Sequence, residues 1–149
     1  MLNGRPLPPT YLYGALALIL ALHFLAPGAV LTKSPWRFLG AAPLAAGAVL
    51  NIWSSRLFER EGTTVKPFRE SRALVVRGPY RISRHPMYLG MVLVLAGLAA
   101  ILGTLSPVFV VIAFIAAMEL RFIRVEERML EERFGDEYRE YRKRVRRWI

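Results

Sequence analysis

The sequence predicts an all-α integral membrane protein with about four transmembrane helices, the last two forming a hairpin, plus a cytoplasmic extended loop and C-terminal interfacial helices. Three observations predict it. The chain of 149 residues is 54% apolar, yet it carries 21 Lys or Arg against 11 Asp or Glu. The charges are segregated: none falls in Pro6 to Thr32, Phe38 to Ser55 or Pro86 to Met118. Uncharged, mostly apolar stretches of about 18 or more residues read as membrane spans. Turn residues, Gly103-Thr104-Leu105-Ser106-Pro107, interrupt the longest of the three.

The first span is expected over about 11–26, ending at Pro27-Gly28, a pair that disfavours helix continuation. A cleaved signal peptide competes with it, but a single Arg5 among Pro6, Pro8 and Pro9 makes a poor basic leader. The second is expected over about 36–58, with Trp36 and Trp53 placed as interfacial aromatics. The uncharged run from Pro86 to Met118 has 33 residues, about 50 Å as one helix at about 1.5 Å per residue. That exceeds a hydrocarbon core of about 30 Å, so two helices, 86–102 and 105–120, are the better reading. The whole of 1–149 is then one membrane-embedded domain, too short to add a separate soluble catalytic domain.

Four spans place both termini on one side, and the basic residues agree. Arg5, eight residues from Arg56 to Arg84 and ten from Arg121 to Arg147 fall on that side, 19 in all, against Lys33 and Arg37 on the other. The positive-inside rule makes the side with 19 cytoplasmic, as expected of a cell-membrane protein with both termini inside. The absence of cysteine excludes disulfides and thiolate chemistry. With only His23 and His85 as further soft ligands, no metal site is expected.

Chemistry has to come from the two polar cytoplasmic segments, 59–85 and 121–149. In the first, Ala73-Leu74-Val75-Val76 reads as extended chain running into a Gly78-Pro79 turn. In the second, Glu119 to Phe134 reads as a helix continuing out of the last span, with Gly135 as its C-terminal cap. From Asp136 onward a second helix is expected. Its stripe of Tyr138, Tyr141, Val145 and Trp148, ringed by Arg and Lys, suits a helix lying beside anionic headgroups. The membrane-proximal position favours lipid over nucleic acid as the partner of that charge.

Two constellations stand out. Pro86 suits the first turn of the third span, which sets His85 at a helix N-terminus with unpaired backbone N–H groups, an end able to hold an anionic ligand group. Tyr80 and Tyr88 flank it; a basic anchor with interfacial tyrosines is the plain alternative. Glu119, Glu126 and Glu127 form the other. Straight helical spacing puts Glu119 and Glu126 on one face and Glu127 about 100° away. Carboxylates facing inward at a membrane edge need cationic partners, and Arg121, Arg124, Arg128 and the basic groups of the first segment are available. A solvated face with local ion pairs is the plain alternative here.

The run Gly78-Pro79-Tyr80, then Arg84-His85-Pro86-Met87-Tyr88-Leu89-Gly90, precedes the hairpin. Glu126-Glu127, Leu130, Phe134-Gly135, Tyr138, Tyr141 and Val145 follow it. Together they resemble the isoprenylcysteine carboxyl methyltransferase family and its relatives among the phospholipid N-methyltransferases. The resemblance covers Leu74 to Val145. It implies a membrane methyltransferase that binds S-adenosylmethionine, without a Rossmann domain, and yields S-adenosylhomocysteine. It places cofactor contacts on Arg72, Ala73, Leu74, Val75, Tyr80, His85, Pro86, Met87, Tyr88 and Glu126, with Glu127 as a neighbour and candidate base. The isoprenylcysteine enzymes hold the substrate carboxylate with an arginine four residues before the matched glutamate. Phe122 stands there in this chain, so Arg121 and Arg124, about 100° and 200° away on a helix, become the candidates for that role. The implied acceptor is lipid-like, of the prenylcysteine carboxylate type. A phospholipid amine or small thiol is the alternative, and a non-enzymatic membrane anchor or transport subunit the rival of another class.

Overall fold

A computed structural model describes residues 6–60 and 74–149. Five α-helices account for most of them: α1 (Pro8–Leu25), α2 (Ala41–Arg60), α3 (Pro86–Leu102), α4 (Leu105–Met118) and α5 (Arg124–Arg144). A 3-10 turn, Trp36–Gly40, leads into α2 and another, Gly78–Arg81, precedes α3. A π-helical turn, Glu119–Ile123, joins α4 to α5 without a break.

Local chemistry explains the boundaries. Prolines open α1 and α3, where the missing N–H costs nothing. The hairpin turns where the sequence predicted: Gly103 closes α3 in the left-handed region at φ 70°, and Thr104 starts α4 from extended backbone. The α1–α2 connection is clipped onto that turn, with the Leu31 N–H donating to the Gly103 carbonyl at 2.8 Å and the Leu105 N–H to that of Ala29 at 3.0 Å. His23 and Thr104 also bond side chain to side chain at 2.9 Å. This seals the end of the bundle away from the two polar segments.

α3 and α4 pack with α1 around Ala15, Ile19, Met91, Leu95, Val110, Phe114 and Met118, a core that continues into Phe122 and Ile123 of the π-turn. α2 joins by backbone approach instead. A Cβ on Gly47 would lie 2.5 Å from the Gly90 carbonyl oxygen, and one on Gly40 2.5 Å from that of Gly97. Two glycine pairs seven residues apart therefore let α2 and α3 touch main chain to main chain, the mode of close approach common between membrane helices.

Two helical segments, Pro8–Leu25 and Trp36–Arg60, are long and apolar enough to cross a membrane. Much of their surface is uncovered: Leu18, Leu20, Phe24, Val49, Ile52 and Trp53 are all exposed, as are Phe109 and Ile112 on α4. So much apolar surface on one small molecule marks contact with something other than water.

The C-terminal segment departs from expectation. Gly135 breaks α5 as predicted, at φ 49° and ψ −118°, a backbone that only glycine adopts readily. The second half, however, ends at Arg144, and Val145 is extended. Residues 145–149 run as a strap across the start of α3, where the Arg84 N–H donates to the Arg146 carbonyl at 3.0 Å and Ser83 Oγ to that of Arg147 at 3.1 Å. The stripe is not turned to the outside. Tyr138, Tyr141 and Val145 are buried on Leu74, Leu130 and Phe134, and Trp148 packs on the main core. Partner residues supplied by the chain itself fold the stripe inward.

Candidate functional site

The two polar segments meet where α3 begins. Gly78, at φ 56°, turns the chain after residues 74–76, and the Gly78–Arg81 turn buries Pro79 and Tyr80. The Tyr141 hydroxyl donates to the Tyr80 carbonyl at 2.6 Å, tying this turn to α5. The chain then reaches His85, the N-cap of α3, whose own N–H donates to Ser83 Oγ at 3.1 Å. His85 is 5% exposed.

α5 supplies the opposite wall. His85 Nε2 lies 3.3 Å from Glu127 Oε1, and His85 Nδ1 3.6 Å from Glu126 Oε2. The Tyr88 hydroxyl donates to Glu126 Oε1 at 2.8 Å. Glu127 is in addition ion-paired with Arg84 Nη2 at 2.9 Å and accepts from a two-pronged Arg147, through Nε at 3.1 Å and Nη2 at 2.5 Å. The remaining Arg147 prong, Nη1, reaches Glu119 Oε1 at 2.6 Å. Residues about 40 positions apart thus form one cluster: Tyr80, Arg84, His85 and Tyr88 from one segment, Glu126 and Glu127 from the other.

The expectation that Glu119 and Glu126 share a helix face is corrected here. Glu119 and Glu127 hold the same guanidinium, while Glu126 faces Tyr88. The π-turn between them is the reason: it takes up one more residue than an α-helical turn, so eight residues cover the two turns that seven normally cover.

The charges follow from this geometry. Burial alone would raise the Glu127 pKa, but the hydrogen bonds from His85 and Arg147 and the charge of Arg84 hold it down, to about 2 from 4.5. Burial would likewise neutralise His85, but the hydrogen bonds and charges of Glu126 and Glu127 prevail and raise its pKa above 6.5. Burial, reinforced by the Glu126 charge, raises the Tyr80 phenol and keeps it protonated. Its hydroxyl is buried with no hydrogen-bond partner among the described residues.

These shifts set a stability profile. Glu127, with its pKa depressed, contributes in full above 4.5 and loses that contribution as pH falls through about 2. His85, with its pKa raised, contributes in full below 6.5 and loses it as pH rises through its folded value. Stability of the detergent-solubilised protein, followed by thermal unfolding across pH, is expected to be greatest between 4.5 and 6.5. The alkaline decline should be smaller in His85→Ala; an identical decline would contradict the assignment.

The remaining expected site residues divide. Pro86 is buried in the first turn of α3, Met87 accepts a contact from Ser55 Oγ at 3.7 Å, Leu74 packs against Tyr138, Tyr141 and Val145, and Val75 is buried. Arg72 and Ala73 lie outside the described residues. Arg121 is exposed and bonds the Tyr11 hydroxyl at 3.0 Å. Arg124, 60% exposed, pairs with Glu119 at 3.6 Å. Phe122 is buried between the rings of Tyr11 and Tyr88. Sequence reasoning missed Arg147. Its signal was the inward carboxylate Glu119, which requires a cation, but ten basic residues follow Glu119 and spacing does not choose among them.

Beside the cluster, between α4 and the strap, lies a cleft of about 570 Å³. Ile112, Ile115, Ala116 and Trp148 wall it, and Arg84, Glu119 and Arg147 close its polar end.

Comparison with known proteins places this arrangement. Residues 35–137 match the phospholipid methyltransferase family. Over 63 residues, 42% of this chain, it is 43% identical to the whole of an uncharacterized protein of Haemophilus influenzae. Over 77 residues, 52% of this chain, it is 37% identical to the cobalt-zinc-cadmium resistance protein CzcN of Cupriavidus metallidurans, matching 35% of that protein's length. With the His85 turn, the helical hairpin and the glutamate pair of α5 all inside the matched region, the chain belongs to the phospholipid methyltransferase family, a family of membrane methyltransferases.

Proposed function

We propose that this protein is an S-adenosylmethionine-dependent methyltransferase embedded in the cell membrane, with both termini and the His85–Glu126 cluster at the cytoplasmic face. Its acceptor is lipid-like, of the prenylcysteine carboxylate type. The observation that carries the reading is the cluster itself: one imidazole, two carboxylates and two tyrosines gathered from both polar segments and the first turn of α3. Membership of the family supports methyl transfer as its use.

The residues suit this cofactor. S-adenosylmethionine supplies an electrophilic methyl on a cationic sulfonium, together with an amino group and a carboxylate. Glu126 is 22% exposed on its side chain and among the described residues has one firm donor, Tyr88, so it retains capacity to hold a cationic group. The Tyr80 hydroxyl, which has no partner among the described residues, offers a donor, and His85 Nδ1, 3.6 Å from Glu126 Oε2, offers a second polar group. Positioning and exclusion of water account for most of the catalysis needed in such a displacement. The exposed apolar faces of α1, α2 and α4 support lipid contact, and the cleft beside α4 supports lateral entry of a lipid-borne acceptor. A second reading, a phospholipid amine as acceptor, is favoured by Phe122, since the position expected to carry a carboxylate-binding arginine is buried and aromatic.

Calorimetric titration with S-adenosylhomocysteine tests the cofactor. The wild type is expected to bind, and Glu126→Gln and His85→Ala each to weaken binding at least tenfold, about 1.4 kcal/mol. Unchanged affinity in both variants would remove the assignment. Incubation with methyl-labelled cofactor and a panel of prenylcysteine, phospholipid and thiol acceptors then identifies the acceptor.

A further inference from the structure

The C-terminal strap carries a residue, Arg147, that the site uses at second hand. Glu127 Oε1 receives Arg84 Nη2, His85 Nε2 and Arg147 Nε, and Oε2 receives Arg147 Nη2. Anchoring Nε2 on Glu127 leaves the other imidazole nitrogen, Nδ1, toward Glu126. The orientation of His85 therefore depends on where the Glu127 carboxylate is held. Arg147 grips both oxygens of that carboxylate and spans the π-turn to Glu119. Two hydrogen bonds to the strap, from the Arg84 N–H and Ser83 Oγ, come from the two residues before His85. Strap, π-turn and His85 turn brace one another through a single guanidinium.

We infer that Arg147 is a positioning residue of the methyl-donor site, fixing Glu127 and through it His85, so that the strap is a functional part of the site. The inference rests on the reading of the cluster as that site. Among the described residues, Arg84, His85 and Arg147 face Glu127, Arg124 and Arg147 face Glu119, and Glu126 and Glu127 face His85. Tyr138 lies close enough to feel the Glu127 charge. A lysine at 147 would keep the charge and lose the fork that binds both carboxylate oxygens.

The test combines two measurements on full-length protein in detergent: the carboxyl NMR titration of Glu127, and S-adenosylhomocysteine affinity as a function of pH. Arg147→Gln is expected to move the Glu127 titration upward from about 2. It should weaken binding at least tenfold at pH 7 and shift the acid limb of the binding profile to higher pH. Arg147→Lys should fall between that variant and wild type on all three. It also serves as the test if the glutamine variant does not fold. A strap that merely holds the chain together would weaken binding equally at every pH, leaving the acid limb of the binding profile in place, and that result would overturn the inference. So would wild-type affinity and profile in both variants. Failure of the wild type itself to bind would instead overturn the reading of the site, and an unmoved Glu127 titration would then still sink the positioning role.

Discussion

Glu127→Gln is expected to cost about 3–5 kcal/mol of stability, the range found when one partner of a buried ion pair is removed. The change leaves Arg84 and His85, 7% and 5% exposed on their side chains, without their shared counter-charge. A folded domain has only about 5–15 kcal/mol in total, so the variant should lie near the edge of folding. Thermal unfolding in detergent at pH 6 measures it. Glu126→Gln is the companion. It is more exposed and its firm bond is to Tyr88, so its loss is expected to stay near the 1.5–3 kcal/mol or so of one charged hydrogen bond. The two neighbouring glutamates should therefore separate, 127 chiefly into stability and 126 chiefly into cofactor affinity. Equal stability losses would show that the division between them is wrong.

Gly47→Leu is expected to separate α2 from α3, at about 3 kcal/mol or more, the upper end for overpacking. The nearest atoms to the new Cβ are main chain, the Gly90 carbonyl oxygen at 2.5 Å and the Val94 nitrogen at 2.8 Å, and neither can swing aside as a side chain would. Helix propensity acts the other way, favouring leucine over glycine by about 0.8–1 kcal/mol, so the sign of the result reports packing alone. Gly14→Ala on α1 is the control. Among the described residues nothing lies within 4 Å of its Cβ, and it should unfold at or above the wild-type temperature. Because the Gly90 end of α3 is also the His85 end, Gly47→Leu should abolish S-adenosylhomocysteine binding as well. Unfolding and binding like wild type would show that the helices do not meet at these glycines.

Much of the site was legible because it rests on local rules. Pro86 places His85 at a helix start whatever surrounds it, Gly78-Pro79 makes a turn, and Gly135 stops a helix. The motif pair Gly78–Gly90 and Glu126–Val145 carries the resemblance to membrane methyltransferases. The sequence leaves the glutamates either inward-facing with cationic partners or on a solvated face; the structure buries Glu127, and one of its partners, Arg84, belongs to the basic segment expected to supply one. What failed was geometry that depends on phase. A straight helix pairs Glu119 with Glu126, whereas the π-turn at Glu119–Ile123 pairs it with Glu127. Nothing in Glu119-Leu-Arg-Phe-Ile123 announces the extra residue, because a π-turn is held by tertiary contacts, here Phe122 and Ile123 in the core and Arg147 across the turn.

By itself, then, the sequence determined the helical hairpin, its flanking turns and the two polar segments that have to carry any chemistry, since apolar period, proline and glycine act over a few residues. Only the tertiary structure decided which cation meets Glu127, which face of the Tyr138–Val145 stripe is covered, and how closely α2 approaches α3. Those outcomes rest on contacts between residues far apart in the chain, where many pairings satisfy charge and hydropathy equally and only packing distinguishes them.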